Sequence, residues 1–289
     1  MTDLGTTRMG PRSFRWGERT FVMGILNITP DSFSGDGLVR SQDAGEGWVE
    51  RAVAQAREMA DEGADLLDIG GESTRPGHAT VAEAEELRRV VPVVHAVRAA
   101  LPGMPLTIDT TKPAVAEAAL DAGADAINDI WGVSAEGSLA RVAAARGVPI
   151  VLMHNRAEPR YTDLLGEVID DLRGAIDRAT AAGVAPAQIL VDPGIGFGKT
   201  AGQNLELLRN LGSLRSLGRP ILLGTSRKST LGKVLDLPAD ERLEATLATT
   251  ALGVAAGIDI VRVHDVRENV RSARMADAIV RGTWQEAPA

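Results

Sequence analysis

Glu62-Gly63-Ala64-Asp65 runs straight into Leu66-Leu67-Asp68-Ile69, and the device recurs twice. Ala122-Gly123-Ala124-Asp125 precedes Ala126-Ile127-Asn128-Asp129, and Ala256-Gly257-Ile258-Asp259 precedes Ile260-Val261-Arg262-Val263. Arg146-Gly147-Val148-Pro149 before Ile150-Val151-Leu152-Met153 is a looser copy. Each glycine can take the left-handed conformation that closes a helix. Each following run is short, apolar and bounded, the signature of a parallel strand buried on both faces. The repeated unit is therefore a helix, a glycine stop and a buried strand.

Working outward, eight such strands are expected: Phe21–Leu26, Leu66–Ile69, Pro105–Ile108, Ala126–Asn128, Pro149–Met153, Ile189–Val191, Pro220–Leu223 and Ile258–Val263. Helical spacing of apolar residues fills the intervals at Trp48–Glu62, Val81–Ala100, Pro113–Ala122, Ser138–Arg146, Leu164–Ala182, Leu205–Leu217, Leu243–Ala256 and Val270–Val280. Pro113 suits a first helical turn, where its missing N–H costs little. Eight strands alternating with eight helices predict an α/β fold, a (β/α)8 TIM barrel in a single domain over residues 20–285. The runner-up, a doubly wound open sheet, lacks its G-x-G-x-x-G signature after the first strand. Residues 1–19, with Thr6-Thr7 and Gly10-Pro11, read as a short N-terminal leader with the character of a mobile segment.

The chain has 289 residues, no cysteine and a formal net charge of -8. Without cysteine there is no disulfide framework, thiolate metal site or cysteine nucleophile. The acidic balance disfavours nucleic acid as a partner, since that affinity rests on clustered cations. No uncharged apolar run is long enough to span a bilayer, and Met1–Arg19 lacks the apolar core of a signal peptide. These absences point away from the membrane and to a cytoplasmic location.

In a barrel of this kind the active site lies at the carboxyl ends of the strands. Here every strand ends in a polar or charged group. Asn27 follows the first, with Thr29–Gly37 as a long loop, and Gly70-Gly71-Glu72-Ser73-Thr74-Arg75-Pro76-Gly77 follows the second. Asp109-Thr110, Asn128-Asp129 and His154-Asn155 end the next three. Asp192 opens a glycine-rich run to Lys199, Gly224 leads to Ser226-Arg227-Lys228-Ser229, and Arg262-Val263-His264-Asp265 closes the series. Any one of these could be a helix cap. Caps alone do not require Arg75, Lys228, Arg262 and His264 on one rim. Asp109, Asn128 and Asp192 suit a flat heterocycle rich in N–H donors, because paired polar contacts discriminate strongly. The cations suit a phosphate or carboxylate. Long Gly/Ser/Thr/Pro loops after the first two strands have the character of lids. No His or Cys spacing for zinc is present. His154, Asn155 and His95 read as structural, and Gly194–Lys199 lacks the spacing of a phosphate-binding P-loop.

Met23-Gly24-Ile25-Leu26-Asn27-Ile28-Thr29-Pro30-Asp31-Ser32-Phe33-Ser34 resembles the opening signature of the dihydropteroate synthase family, and Gly70–Gly77 its second. Ile108-Asp109-Thr110, Asn128-Asp129, Asp192-Pro193-Gly194, Ser226–Ser229 and Arg262–Asp265 fall in the family's order. The resemblance implies a transferase of folate biosynthesis. It would join 4-aminobenzoate to the methylene of (7,8-dihydropterin-6-yl)methyl diphosphate, releasing diphosphate by dissociative substitution. The resemblance places the pterin on Asp109, Asn128, Met153, Asp192, Phe197, Gly224, Lys228 and Arg262. It places the diphosphate on Asn27, Thr74, Arg75, Arg262 and His264, and 4-aminobenzoate on Phe33, Thr74, Pro76 and Ser229. Asn27, Arg75, Lys228, Arg262 and His264 would carry the catalysis. Asn27, with substrate phosphate oxygens, would hold Mg²⁺; its plainer role is to tie down its loop. A homodimer built on the last two helices is implied by the same resemblance.

The sequence also departs from the family pattern. Ser34-Gly35-Asp36-Gly37 shifts the loop carboxylate by one position, Trp131 replaces a small residue, and Thr111 stands where tyrosine is frequent. His154-Asn155-Arg156 is a variant ending of the fifth strand. Two rivals follow. One is a non-catalytic pterin-binding paralogue. The other is a methyltetrahydrofolate:corrinoid methyltransferase, which would not need the diphosphate cations.

Overall fold

A computed structural model describes residues 4–28, 47–72, 81–132, 134 and 136–284. The expected lids, with Phe33, Asp36, Thr74, Arg75 and Pro76, lie outside the described residues.

An antiparallel hairpin comes first: β1 (Thr6–Met9) and β2 (Arg12–Arg15). Then β3 (Phe21–Asn27), β4 (Leu66–Gly70), β5 (Leu106–Asp109), β6 (Ala126–Asp129), β7 (Ile150–Met153), β8 (Ile189–Asp192), β9 (Leu222–Leu223) and β10 (Ile260–Val263) form one parallel sheet. Its order is β8-β7-β6-β5-β4-β3-β10-β9, and a parallel bridge between Val191 and Ile221 joins the outer strands. The expected barrel is what forms.

The helices are α1 (Trp48–Asp61), α2 (Glu83–Ala100), α3 (Pro113–Asp121), α4 (Ser138–Arg146), α5 (Leu164–Ala181), α6 (Ala201–Arg209), α7 (Ser229–Leu235), α8 (Leu243–Ala256) and α9 (Val266–Arg281). Two of the expected helices differ. The one expected at Leu205–Leu217 is α6 followed by a separate 3-10 turn at Leu211–Leu217. Thr200 and Gln203 form a reciprocal capping box that starts α6 four residues earlier. α9 begins at Val266 rather than Val270, because Val266 is fully buried and anchors the first turn.

The strand period of two sorts the side chains. Leu67, Ile69, Leu106, Ile108, Ile127, Leu152, Ile189 and Val191 face out and pack with helix residues such as Val90, Val93, Val115 and Leu172. Met23, Leu66, Ala126, Val151, Leu190, Leu222 and Ile260 form a second, separate cluster that fills the barrel's lower interior.

That inner cluster is completed by Met9, Phe14, Trp16 and Phe21. The segment expected as a mobile leader is therefore a plug. Phe14 and Trp16 stack at 5.8 Å, and both meet Phe21 edge-on. The buried Trp16 Nε1 donates to Thr7 Oγ1 at 2.9 Å, and Thr7 donates to the Ala187 carbonyl at 2.5 Å. The composition of the segment hid this, since only three of its residues carry the contact.

Candidate active site

Two residues further along four of the strands, the inward positions change from apolar to polar. Leu66 is followed by Asp68, Ala126 by Asn128, Leu190 by Asp192, and Ile260 by Arg262. A row of register partners runs across the upper mouth: Asn27 with Gly70, Gly70 with Asp109, Asp109 with Asn128. Met153 pairs with Asp192 on the far side.

Arg262 ties the cup together. Its Nε donates to Asp68 Oδ2 at 2.6 Å and its Nη2 to Asp109 Oδ2 at 2.8 Å. Asn128 Nδ2 donates to the same Asp68 oxygen at 2.9 Å, and Thr107 Oγ1 donates to the other. Asp68 has no exposed surface. It is the functional residue that the sequence reading left among strand residues. Its signal was a lone carboxylate at an inward position of an otherwise apolar run.

Asp109 Oδ1 is buried and has no hydrogen-bond partner among the described residues. Burial, opposed by the Arg262 charge and reinforced by Asp68, pushes the Asp109 carboxyl up to about 7. Burial likewise raises Asp192 to about 6, against the pull of the Gly194 N–H and of Lys228 and Arg262. That N–H donates to Asp192 Oδ1 at 2.7 Å. A side chain at Gly224 would stand 3.8 Å from Asp192 Oδ2 and 3.9 Å from Arg262 Cβ. The glycine therefore leaves open the gap between carboxylate and guanidinium.

Lys228, the N-cap of α7, sets its ammonium 3.9 Å from the centre of the Phe197 ring. Gly196 has φ +84, and a Cβ there would press on the Lys228 stem at 3.1 Å. His264 Nδ1 lies 2.9 Å from Ser226 Oγ, which also accepts from the His264 N–H at 3.1 Å. The loops after β9 and β10 are thereby joined. A bidentate pair between Arg227 and Asp265 joins them again, at 3.1 and 2.6 Å. Ser229 is exposed at the first turn of α7.

Of the expected site residues, the structure gathers Asn27, Asp109, Asn128, Met153, Asp192, Phe197, Gly224, Lys228, Arg262 and His264 at the carboxyl ends of the strands. His154 sits outside the cup as expected. It is fully buried beneath the loop after β8, bonded to Asp171 and Lys199. His95 is exposed on α2. Asn27, partly buried at the end of β3, brings one amide oxygen to the rim. Among the described residues no group of three His, Cys, Asp or Glu could hold a metal ion. No described helix is long and apolar enough to cross a membrane.

A cup of buried carboxylates and an amide faced by cations, at the carboxyl end of a (β/α)8 barrel, is the site expected of a pterin-binding enzyme. The model of that family, described as pterin binding enzyme, matches residues 23–264. The dihydropteroate synthase of Clostridium beijerinckii is 50% identical over 275 residues, covering 95% of this chain and 99% of that one. A crystal structure of the Clostridium difficile dihydropteroate synthase in the presence of pteroic acid superposes with a TM-score of 0.87 at 47% identity. It covers 93% of this chain and 99% of that one. The Xanthomonas albilineans enzyme with 4-aminobenzoic acid gives 0.86 at 40% identity, with 95% and 98% covered. The chain belongs to the dihydropteroate synthase family.

Proposed function

We propose that the upper cup performs the reaction of this family with the residues now placed there. The protein is a dihydropteroate synthase, a transferase of folate biosynthesis. It condenses (7,8-dihydropterin-6-yl)methyl diphosphate with 4-aminobenzoate to give 7,8-dihydropteroate and diphosphate. One observation carries the assignment of roles: Asp109, Asn128 and Asp192 converge on the space that Arg262 borders.

The pterin presents several N–H donors along one edge. Asp192 and the unpartnered Asp109 Oδ1 are acceptors for them, and Asn128 can both give and accept. Burial penalises these carboxylates without a ligand, so a donor that pairs with them is selected strongly over one that cannot. Arg262 offers a guanidinium face beside the ring, with Met153, Phe197 and Gly224 lining it. Lys228 adds positive charge near the ring's acceptor atoms.

The bond from methylene to diphosphate oxygen breaks, and its electron pair leaves with the diphosphate. Arg262, His264 and Asn27 are the described groups that can receive that charge, with Thr74 and Arg75 assigned by resemblance. Charge-directed donors of this kind act on the transition state. The pterin spreads the positive charge left on the methylene. The nitrogen lone pair of 4-aminobenzoate then forms the new C–N bond and the nitrogen sheds its proton. An aryl amine is already neutral at pH 7, so positioning matters more than a strong base. Ser229, at a helix start, is assigned the carboxylate, with Phe33, Thr74 and Pro76 around the ring. Mg²⁺, held by Asn27 together with phosphate oxygens and water, would offset charge on the leaving diphosphate. The single amide oxygen of Asn27 fits an ion that takes most of its ligands from substrate and solvent.

A homodimer is supported by Leu252 on α8 and Met275 and Ile279 on α9, which are 66%, 61% and 72% exposed. Such large apolar side chains on adjacent helices suit a self-complementary face. Pure protein incubated with the pterin diphosphate, Mg²⁺ and 4-aminobenzoate tests the reading. Diphosphate release that depends on the amine is the expected result. Pterin binding with no release would identify a silent paralogue. Sulfonamides, as mimics of 4-aminobenzoate, should compete with it.

A further inference from the structure

Lys199 closes the glycine-rich run after β8, is partly buried, and takes no part in the chemistry above. Its Nζ lies 3.0 Å from the Gly194 carbonyl, 3.0 Å from the Phe197 carbonyl and 2.9 Å from His154 Nδ1. The His154 carbonyl is further off, at 3.4 Å. Burial pushes Lys199 down to about 7; in the ammonium form it has three N–H donors, and three acceptors stand at bonding distance. Donation to Nδ1 fixes the tautomer of His154, whose Nε2–H is left to donate to Asp171 Oδ2 at 3.1 Å. Arg156 holds that same oxygen, from Nη2 at 2.7 Å. Burial and the neighbouring Lys199 charge push His154 down to about 4, so the imidazole is neutral, as this chain of bonds requires.

The two carbonyls belong to the turn that serves the cup. Gly194 supplies the N–H that holds Asp192, and Phe197 supplies the ring beneath Lys228. Gly194 has φ +68 and sits so close to the His154 carbonyl that a Cβ would fall 1.9 Å from it. The turn is thus pressed against the end of β7, and Lys199 bonds to both sides of the contact.

We propose that Lys199 is a positioning residue for pterin binding: by bonding Gly194, Phe197 and His154 together, it fixes Asp192 and the Phe197–Lys228 pair in their places. This rests on the pterin assignment of the preceding section. Lys199→Met keeps the length of the side chain and removes the donors. The expected result is a rise of about tenfold in Kd and KM for the pterin diphosphate, the scale of losing one charge-assisted bond. The KM for 4-aminobenzoate stays within about twofold, and Lys199→Arg, which restores a cation with several donors, recovers most of the pterin affinity. Unchanged pterin affinity in Lys199→Met overturns the proposal. So does a parallel loss of affinity for both substrates, which marks general destabilisation. Should the methionine variant not fold, His154→Leu removes one acceptor and leaves Lys199 in place. A loss of pterin affinity of about threefold then supports the proposal, and no loss overturns it. Calorimetry of the unaltered enzyme with the pterin diphosphate separates the two readings. If that protein does not bind the pterin, the assignment of the cup fails; if it binds and the variants bind equally, only the role of Lys199 fails.

Discussion

The two mouths of this barrel are built from the same strands, two residues apart. The lower one is closed by Phe14, Trp16, Phe21 and Met9 over Leu66, Leu190 and Ile260. The upper one presents Asp68, Asp109, Asn128, Asp192 and Arg262 from the next inward positions of the strands. One end satisfies itself by burying apolar surface. The other holds buried carboxylates whose ionised forms the fold disfavours, and a carboxylate oxygen with no partner among the described residues. The contrast teaches where stability and function separate: changes below should move folding, and changes above should move binding and turnover.

Arg262→Ala should break that contrast most severely. It strands Asp68 and Asp109, and losing one partner of a buried ion pair costs about 3–5 kcal/mol. Turnover should fall below detection, and urea unfolding should register the stability loss. A stable, active variant would mean the network is not needed.

Phe14→Ala at the other end should cost about 3 kcal/mol of folding stability, the scale of a deleted buried aromatic ring. Its KM for both substrates should stay near that of the unaltered enzyme at a temperature where it is folded. A selective rise in the pterin KM would show that the mouths are coupled.

Lys228→Ala should weaken pterin binding by about tenfold, consistent with a cation over an aromatic ring and beside the ligand. The melting temperature should change little, and calorimetry reads the affinity directly.

The smallest effect is in pH, and its sign differs for binding and folding. Asp192 is raised to about 6, so it takes up a proton as the pH falls through that value and loses acceptor capacity. Pterin affinity should therefore decline below about pH 6 and level off above it. Ligand-free stability should run the other way. A buried carboxylate with a raised pKa binds its proton more tightly folded than unfolded, so its contribution is full below about pH 4 and is lost as the pH rises through 6 to 7. Asp192→Asn should flatten its share of both trends.

Much of this was legible in the chain. Ser138–Arg146 and Leu243–Ala256 form helices with the boundaries that apolar spacing marks, and each of the eight barrel strands lies on its expected run. Strand ends gave the cup, because a parallel barrel puts every carboxyl end on one side. The plug was not legible: residues 6–16 carry three large buried side chains among polar neighbours, too few for a periodic signal. Asp68 was hidden because the pairing that turns it toward Arg262 spans 194 positions of sequence. Lys199 was visible only as the end of a glycine-rich run, since its partners come from the end of β7.

A crystal soaked with the pterin diphosphate tests the central claim most directly. The account predicts ring density beside Arg262, with donors on Asp192 and the open Asp109 oxygen and the diphosphate toward His264 and Asn27. Density for the ring elsewhere, with Asp109 and Asp192 left without ligand, would contradict it.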